Sequence, residues 1–312
     1  MATESAPLFT DVADGPEGGR ALWLRTGDGV RVRIAVWPYG EKGTVLMLPG
    51  RTESVEKYGR VAKDLGKRGY ATVSIDWRGQ GLSDRPARSP MTGHVVRFTD
   101  YQFDLSALMT VLPGLDLPRP LFMLAHSMGG AIGLRALMEG LDVSAASFTA
   151  PMWGIRLTPP LRPVAWALSA AARAARMGMT LTPSTDLTCY IAIAPFQNNV
   201  LTTDPETFAW LKAQVHQHPE LALGGPSLNW LNQALLECRR LRARPSPTVP
   251  ALTFLGSLEK VVDIAPIHDR MRRWPRAELE IVTGAEHEVL MEAPEMRNHA
   301  LDRIAELFDA NR

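Results

Sequence analysis

The sequence predicts an α/β fold in which a mostly parallel central sheet carries helices on both faces and one helical insertion. Three observations carry that prediction. Short β-rich apolar runs alternate with stretches of helical spacing along most of the chain. One of those runs ends at a serine flanked by small residues. Between residues 152 and 244 the alternation stops.

The elements follow in order. Residues 1–19 are polar and glycine-rich, and they read as a flexible lead. Residues 21–25 and 32–37 read as two strands around Gly27-Asp28-Gly29, a hairpin signal. Residues 44–48 form a short apolar run that ends in Pro49-Gly50, as a buried strand feeding a loop does. Residues 57–68 have helical spacing (Tyr58, Val61, Ala62, Leu65) and stop at Gly69. Residues 71–75 are β-rich and lead to Asp76. A helix is predicted over 101–112, a strand over 121–125, a small-residue helix over 128–138 and a strand over 145–150. Two further strands, 251–255 and 279–282, precede a closing helix over 293–310.

The break in the pattern reads as a helical cap over 152–244, inserted into a core formed by 20–151 and 245–312. It holds proline pairs, an alanine-rich helix and five large aromatics: Trp153, Trp166, Phe196, Trp210 and Trp230. The proline-rich run from Arg244 to Pro250 reads as the linker back to the sheet.

Composition excludes some functions. The 312 residues carry a net charge of +1, which gives no electrostatic footprint for nucleic acid. The two cysteines, Cys189 and Cys238, sit in no C-x-x-C pair or ligand cluster, so no metal site and no cofactor are expected. The chain starts without the basic residues and apolar run of a secretory signal, and no stretch approaches the roughly 18 apolar residues of a spanning helix. The expectation is a cytoplasmic protein, with room for peripheral membrane contact. Oligomeric state is not legible.

The strongest motif is Leu124-Ala125-His126-Ser127-Met128-Gly129-Gly130. A nucleophile on a strand-to-helix turn needs small residues two places to either side, because the backbone folds back sharply there. Ala125 and Gly129 fill those places. The helix N-terminus lends a positive field, and the Met128 N–H points to where an oxyanion forms. A serine hydroxyl needs a general base, and on such a turn the partners follow in the order serine, acid, histidine. Of seven histidines, His287 stands after the last strand and before the final helix. His126 is next to Ser127, but neighbours on a sharp turn point apart. The acid is Glu259 or Asp263, both on the segment after residues 252–255. The loop Pro49-Gly50-Arg51-Thr52-Glu53 supplies the second oxyanion N–H, from Arg51.

These segments, with Asp76-Trp77-Arg78-Gly79-Gln80-Gly81-Leu82-Ser83, Gly93-His94-Val95 and Gly284-Ala285-Glu286-His287, resemble the lysophospholipase and monoacylglycerol lipase branch of the α/β-hydrolases. That branch includes proteins labelled serine aminopeptidases. The Arg-Thr-Glu and Glu-Lys-Val-Val-Asp runs look most like bacterial L2-type lysophospholipases. The resemblance implies an α/β-hydrolase fold and a serine ester hydrolase, and it assigns the acid role to Glu259 with Asp263 as second choice. It implies structural roles for Asp76 and Arg78. Two departures stand out: Pro49-Gly50 where many relatives have His-Gly, and Glu259 where many have aspartate.

The expected substrate is a lipid-like or hydrophobic ester, bound under the cap by Trp153, Trp166, Phe196, Trp210 and Trp230 together with Met152, Met177 and Met179. Two alternatives stand beside this reading. One is an aminopeptidase or amidase, whose carboxylates would come from Asp186, Asp204, Glu206, Glu220 or Glu237. The other is a non-catalytic small-molecule binding protein on the same scaffold.

Overall fold

The computed structural model describes residues 4–183 and 185–312. Nine strands form one sheet: β1 (Glu4–Ala6), β2 (Arg20–Arg25), β3 (Arg31–Trp37), β4 (Thr44–Leu48), β5 (Ala71–Asp76), β6 (Leu121–His126), β7 (Ala145–Thr149), β8 (Ala251–Gly256) and β9 (Ala277–Val282). Their spatial order is β1-β2-β3-β5-β4-β6-β7-β8-β9. The first three strands pair antiparallel and β3 joins β5 antiparallel; from β5 to β9 every pair is parallel.

Strand β4 shows why the parallel strands read as continuous apolar runs. Val45 and Met47 point into one core with Tyr58, Val61 and Leu65, while Leu46 and Leu48 point into the other with Ile132 and Leu134. Side chains alternate across the sheet, and both faces are covered. The covering helices are α2 (Gly59–Lys67) and α10 (Pro294–Asp309) on one face, and α3 (Tyr101–Val111) and α4 (Ser127–Met138) on the other.

The sequence predicts a flexible lead over residues 1–19, of which 1–3 lie outside the described residues. From Glu4 onward the structure corrects this expectation. β1 extends the sheet, and a one-turn helix α1 (Thr10–Ala13) buries Val12 and Ala13. The Val12 carbonyl accepts the Trp210 indole N–H at 2.9 Å and the Gln214 amide at 3.0 Å, and Asp11 faces His218 at 2.8 Å. A polar, glycine-rich segment carries no amphipathic period, so its order comes from long-range partners such as these and the Glu56 and Arg33 contacts to Phe9 and Pro7.

Between β7 and β8 the chain forms α5 (Leu161–Ala174), α6 (Tyr190–Ile193), α7 (Pro205–Gln217) and α8 (Leu228–Ala243). Among the described residues this stretch has no strand, only isolated bridges such as Leu181 to Ser227. Helix α7 starts on an Asp204 cap and α8 on a Ser227 cap, each accepting a first-turn N–H. α8 is also part of the core: fully buried Glu237 takes a two-pronged contact from Arg135 of α4, and Trp230 joins the main apolar cluster. A further helix, α9 (Ile264–Arg272), precedes β9.

Candidate active site

Three loops meet at the carboxyl end of the parallel strands, and three residues there hold a left-handed backbone without being glycine. Thr52 follows β4 at φ 65°, Ser127 follows β6 at φ 48°, and Ala150 follows β7 at φ 41°. Such residues cost of order 1–3 kcal/mol each and persist where surrounding structure fixes them. At Ser127 the fixing is a close backbone approach. A Cβ on Gly129 would sit 2.1 Å from the Leu48 carbonyl oxygen, and one on Gly130 would sit 2.5 Å from the Pro151 side chain. Only glycine lets α4 start directly against the ends of β4 and β7.

The hydroxyl of Ser127 lies 3.0 Å from His287 Nε2, and His287 Nδ1 lies 2.7 Å from Glu259 Oε2. With the Nδ1 proton donated to the carboxylate, Nε2 is free to accept from the serine. Glu259 Oε1 also accepts the Val261 and Val262 N–H groups. Burial pushes the Glu259 carboxyl up, but His287 and these two N–H groups outweigh it and hold it below the usual carboxylate range. Asp263, the second candidate acid, is elsewhere: it caps α9 through the Ala265 N–H at 3.2 Å and pairs with Arg162 at 2.6 Å.

The Arg51 and Met128 N–H groups belong to the two segments that meet at Gly129. Arg51 N–H donates to no acceptor among the described residues. Met128 is in the first turn of α4, where N–H groups have no intrahelical partner. The loop carrying Arg51 is pinned from below. Trp77 Nε1 donates to the Pro49 carbonyl at 2.9 Å, Gln80 Nε2 to the Gly50 carbonyl at 2.7 Å, and Glu53 accepts the Gly50 N–H. Asp76 accepts from Val55 N–H at 2.8 Å and from Arg33, while Arg78 is held by Asp104 and Asp28. Neither Asp76 nor Arg78 contacts the serine or histidine.

Sequence reasoning missed a buried charge network beside this chain. Lys57 Nζ lies 2.7 Å from both Glu53 and Glu288, and Tyr58 donates to Glu53 at 2.6 Å. Glu53 is on the Arg51 loop, and Glu288 follows His287, so Lys57 ties the Arg51 loop to the His287 segment. Burial alone pulls the ammonium down, but the two carboxylates raise it above its ordinary range; burial pushes Glu288 up. Glu53, Glu288 and His126 are close enough together to suit a cation, and the Lys57 ammonium already supplies one. Glu53 lies in the loop before the helical turn at Val55–Tyr58, so no helical period in the sequence signals its pairing with Lys57.

His126 faces away from the serine as expected. Its Nδ1 meets the Thr149 hydroxyl at 2.9 Å and carbonyl at 3.1 Å, and burial lowers its pKa to about 3. His94 is a packed loop histidine bonded to Ser227 at 2.8 Å.

Above Ser127 and His287 opens a cavity of about 540 Å³. Of the five aromatics proposed to line it, only Trp230 does. Trp153 is in the sheet core, donating to the Gly130 carbonyl at 3.1 Å. Trp166 is on α5 away from the cavity, Phe196 stacks edge-on with Phe208, and Trp210 binds Val12 under Arg60. Of the methionines, Met152 lines the cavity, whereas Met177 and Met179 are exposed. Aliphatic residues form the walls instead, among them Ile193, Leu211, Val215, Leu221 and Leu223. Of the acidic residues weighed for an ammonium site, only Asp186 lines it; Asp204 caps α7 and Glu237 is paired to Arg135.

Comparison with known proteins agrees with this architecture. A family profile described as "Serine aminopeptidase, S33" matches residues 40–294. Lysophospholipase L2 of Escherichia coli strain K12 is 34% identical over 277 residues, covering 85% of this chain and 80% of that protein. Two solved structures share the fold. Monoglyceride lipase from Saccharomyces cerevisiae, a soluble variant with a substrate analogue, has a TM-score of 0.71 at 20% identity, covering 92% of this chain and 94% of its own. A thermostable carboxyl esterase from Bacillus coagulans in complex with glycerol has a TM-score of 0.72 at 15% identity, covering 95% and 99%.

Proposed function

This chain belongs to the serine aminopeptidase, S33 family and to the lysophospholipase-like branch of the α/β-hydrolases, and from that premise we propose that it cleaves carboxylic esters of lipids, with Ser127, His287 and Glu259 as its catalytic residues. The observation that supports this most is the unbroken hydrogen-bonded run from Glu259 through His287 to Ser127 at the floor of an aliphatic cavity.

The Ser127 oxygen attacks the ester carbonyl carbon while its proton passes to His287 Nε2. The Arg51 and Met128 N–H groups hold the oxyanion of the tetrahedral intermediate. Collapse breaks the bond to the alcohol, which leaves with the proton from His287. Water then attacks the acyl-enzyme, gives its proton to His287, and releases the carboxylic acid as the proton returns to Ser127. Glu259 holds the imidazole in the tautomer that leaves Nε2 free and stabilises the imidazolium.

A fluorophosphonate should label Ser127. Ser127→Ala should lower hydrolysis of a monoacylglycerol or a lysophospholipid by at least about 10³-fold without unfolding the protein. Turnover by the variant near wild-type rates overturns the assignment. Faster cleavage of aminoacyl p-nitroanilides than of p-nitrophenyl acyl esters overturns the ester reading.

A further inference from the structure

Arg33, Arg78, Arg135 and Arg270 are buried, and Arg51 and Arg85 are half-buried. Arg33, Arg78 and Arg135 each face two carboxylates. Arg85 and Arg270 have their donors filled by main-chain carbonyls: Arg85 by Pro90, Ala222, Gly81 and Glu220, Arg270 by Arg244 and Leu241 together with the Ser246 hydroxyl. Arg51 has neither arrangement. Its guanidinium makes one hydrogen bond, from Nη2 to the Gly224 carbonyl, and its Nε is buried with no partner among the described residues. The group lies over the Trp230 ring, 5.3 Å from the centroid, in room left by Gly93.

Burial lowers its pKa to about 10, and the ionisable groups that bear on it are the Tyr101 hydroxyl and the Cys189 thiol, neither a carboxylate. The acidic residues that share the cavity are engaged elsewhere: Glu53 and Glu288 with Lys57, Asp186 with the N–H and hydroxyl of Thr188. The guanidinium is half-buried, with its Nε shut off from water and unpaired among the described residues, and an anionic group would satisfy the donors it leaves open. It lines the same cavity as Ser127 and His287.

We infer that the Arg51 side chain is an anion subsite that takes the phosphodiester of a lysophospholipid, making this residue the determinant of preference for phosphate-bearing over neutral lipid esters. The inference rests on the reading of Ser127 as the lipid-ester nucleophile and goes further, because it concerns a side chain that the acyl-transfer steps do not use. Arginine is well matched to a phosphodiester. Its planar fork donates two parallel hydrogen bonds to a phosphate, and such charge-assisted bonds are about twice as strong as neutral ones. The same anionic-oxygen chemistry is also offered by the carboxylate of the released fatty acid.

The test separates these sources and separates binding from turnover. Ser127→Ala protein is titrated with three lipids of equal chain length: a 1-O-alkyl lysophosphatidylcholine, a 1-O-alkylglycerol and a fatty acid. The phosphate lipid should bind at least about tenfold more tightly than the alkylglycerol. Adding Arg51→Gln should erase that advantage, and Arg51→Lys should restore part of it. In turnover with Ser127 intact, Arg51→Gln should lower the ratio of kcat/KM for lysophosphatidylcholine over monoacylglycerol by about tenfold or more.

Equal affinity of the Arg51-containing protein for the first two lipids overturns the proposal, whatever the variants do. Loss confined to the fatty acid assigns the subsite to the product and also overturns it. A selective loss on the phosphate lipid supports it. Failure of a fluorophosphonate to label Ser127 is a separate result: it removes the nucleophile while leaving the lipid-binding preference to stand or fall by the titration.

Discussion

At the residue scale, Glu259 differs from a freely mobile carboxylate because its own turn holds it. One oxygen accepts two successive N–H groups and the other faces the imidazole at 2.7 Å. An amide at this place keeps the shape but loses the charge and the tautomer preference. Glu259→Gln should therefore lower kcat by about 10³–10⁴-fold, whereas Asp263→Asn should leave kcat within about threefold and cost about 1 kcal/mol of stability as a weakened cap. Steady-state kinetics and a urea melt on both variants check this. His126 carries a second consequence. Burial lowers its pKa to about 3, while an unfolded chain takes up the proton near pH 6.5. Between those values the unfolded state binds more protons, so stability falls as the pH drops below about 6.5, by at most about 1.4 kcal/mol per unit. Glu53, which faces this imidazole at 3.5 Å, is held below the usual carboxylate range and stays ionised through that window. Urea midpoints measured from pH 7 to pH 4 should show the slope in the wild type and a flatter one in His126→Gln.

At the element scale, the parallel core was legible because β4 to β8 are short runs buried on both faces, while the edge strand β9 is half-exposed. β4 follows the predicted bounds, and β5, β6 and β8 extend only one residue beyond them. The parts that escaped were held by long-range partners. β1 has a polar sequence and is ordered by its pairing to β2; the cavity wall consists of aliphatic residues scattered over α6, α7 and the loops. Aromatic content was the wrong guide there, since Trp153 and Trp210 are spent on the core and on the α1 contact. The Glu53–Lys57–Glu288 link joins the loop after β4 to the segment after β9. Lys57→Met should cost about 3–5 kcal/mol, because it leaves two buried carboxylates facing each other. A denaturant midpoint that hardly moves would mean that the network contributes little.

At the scale of the whole molecule, the sheet supplies Ser127, His287 and Glu259, and the insertion supplies most of the cavity wall. Substitutions on the wall should then alter chain-length preference and leave the chemistry intact. Leu223→Trp should lower kcat/KM for long acyl esters by about tenfold while changing short ones by less than about threefold. A p-nitrophenyl ester series reads this directly, and equal losses at every length would place Leu223 outside the acyl path. The contact of α1 with α7 bears on how the cavity comes to exist at all. Val12 waits for Trp210 and Gln214, which follow it by 198 and 202 residues. Ribosomes add roughly 5–20 residues per second, so about 10–40 s pass between the emergence of the two halves of that contact. Helix α7 carries Leu211, Gln214 and Val215 of the cavity. During translation, a binding-competent pocket is thus among the last things the nascent chain acquires.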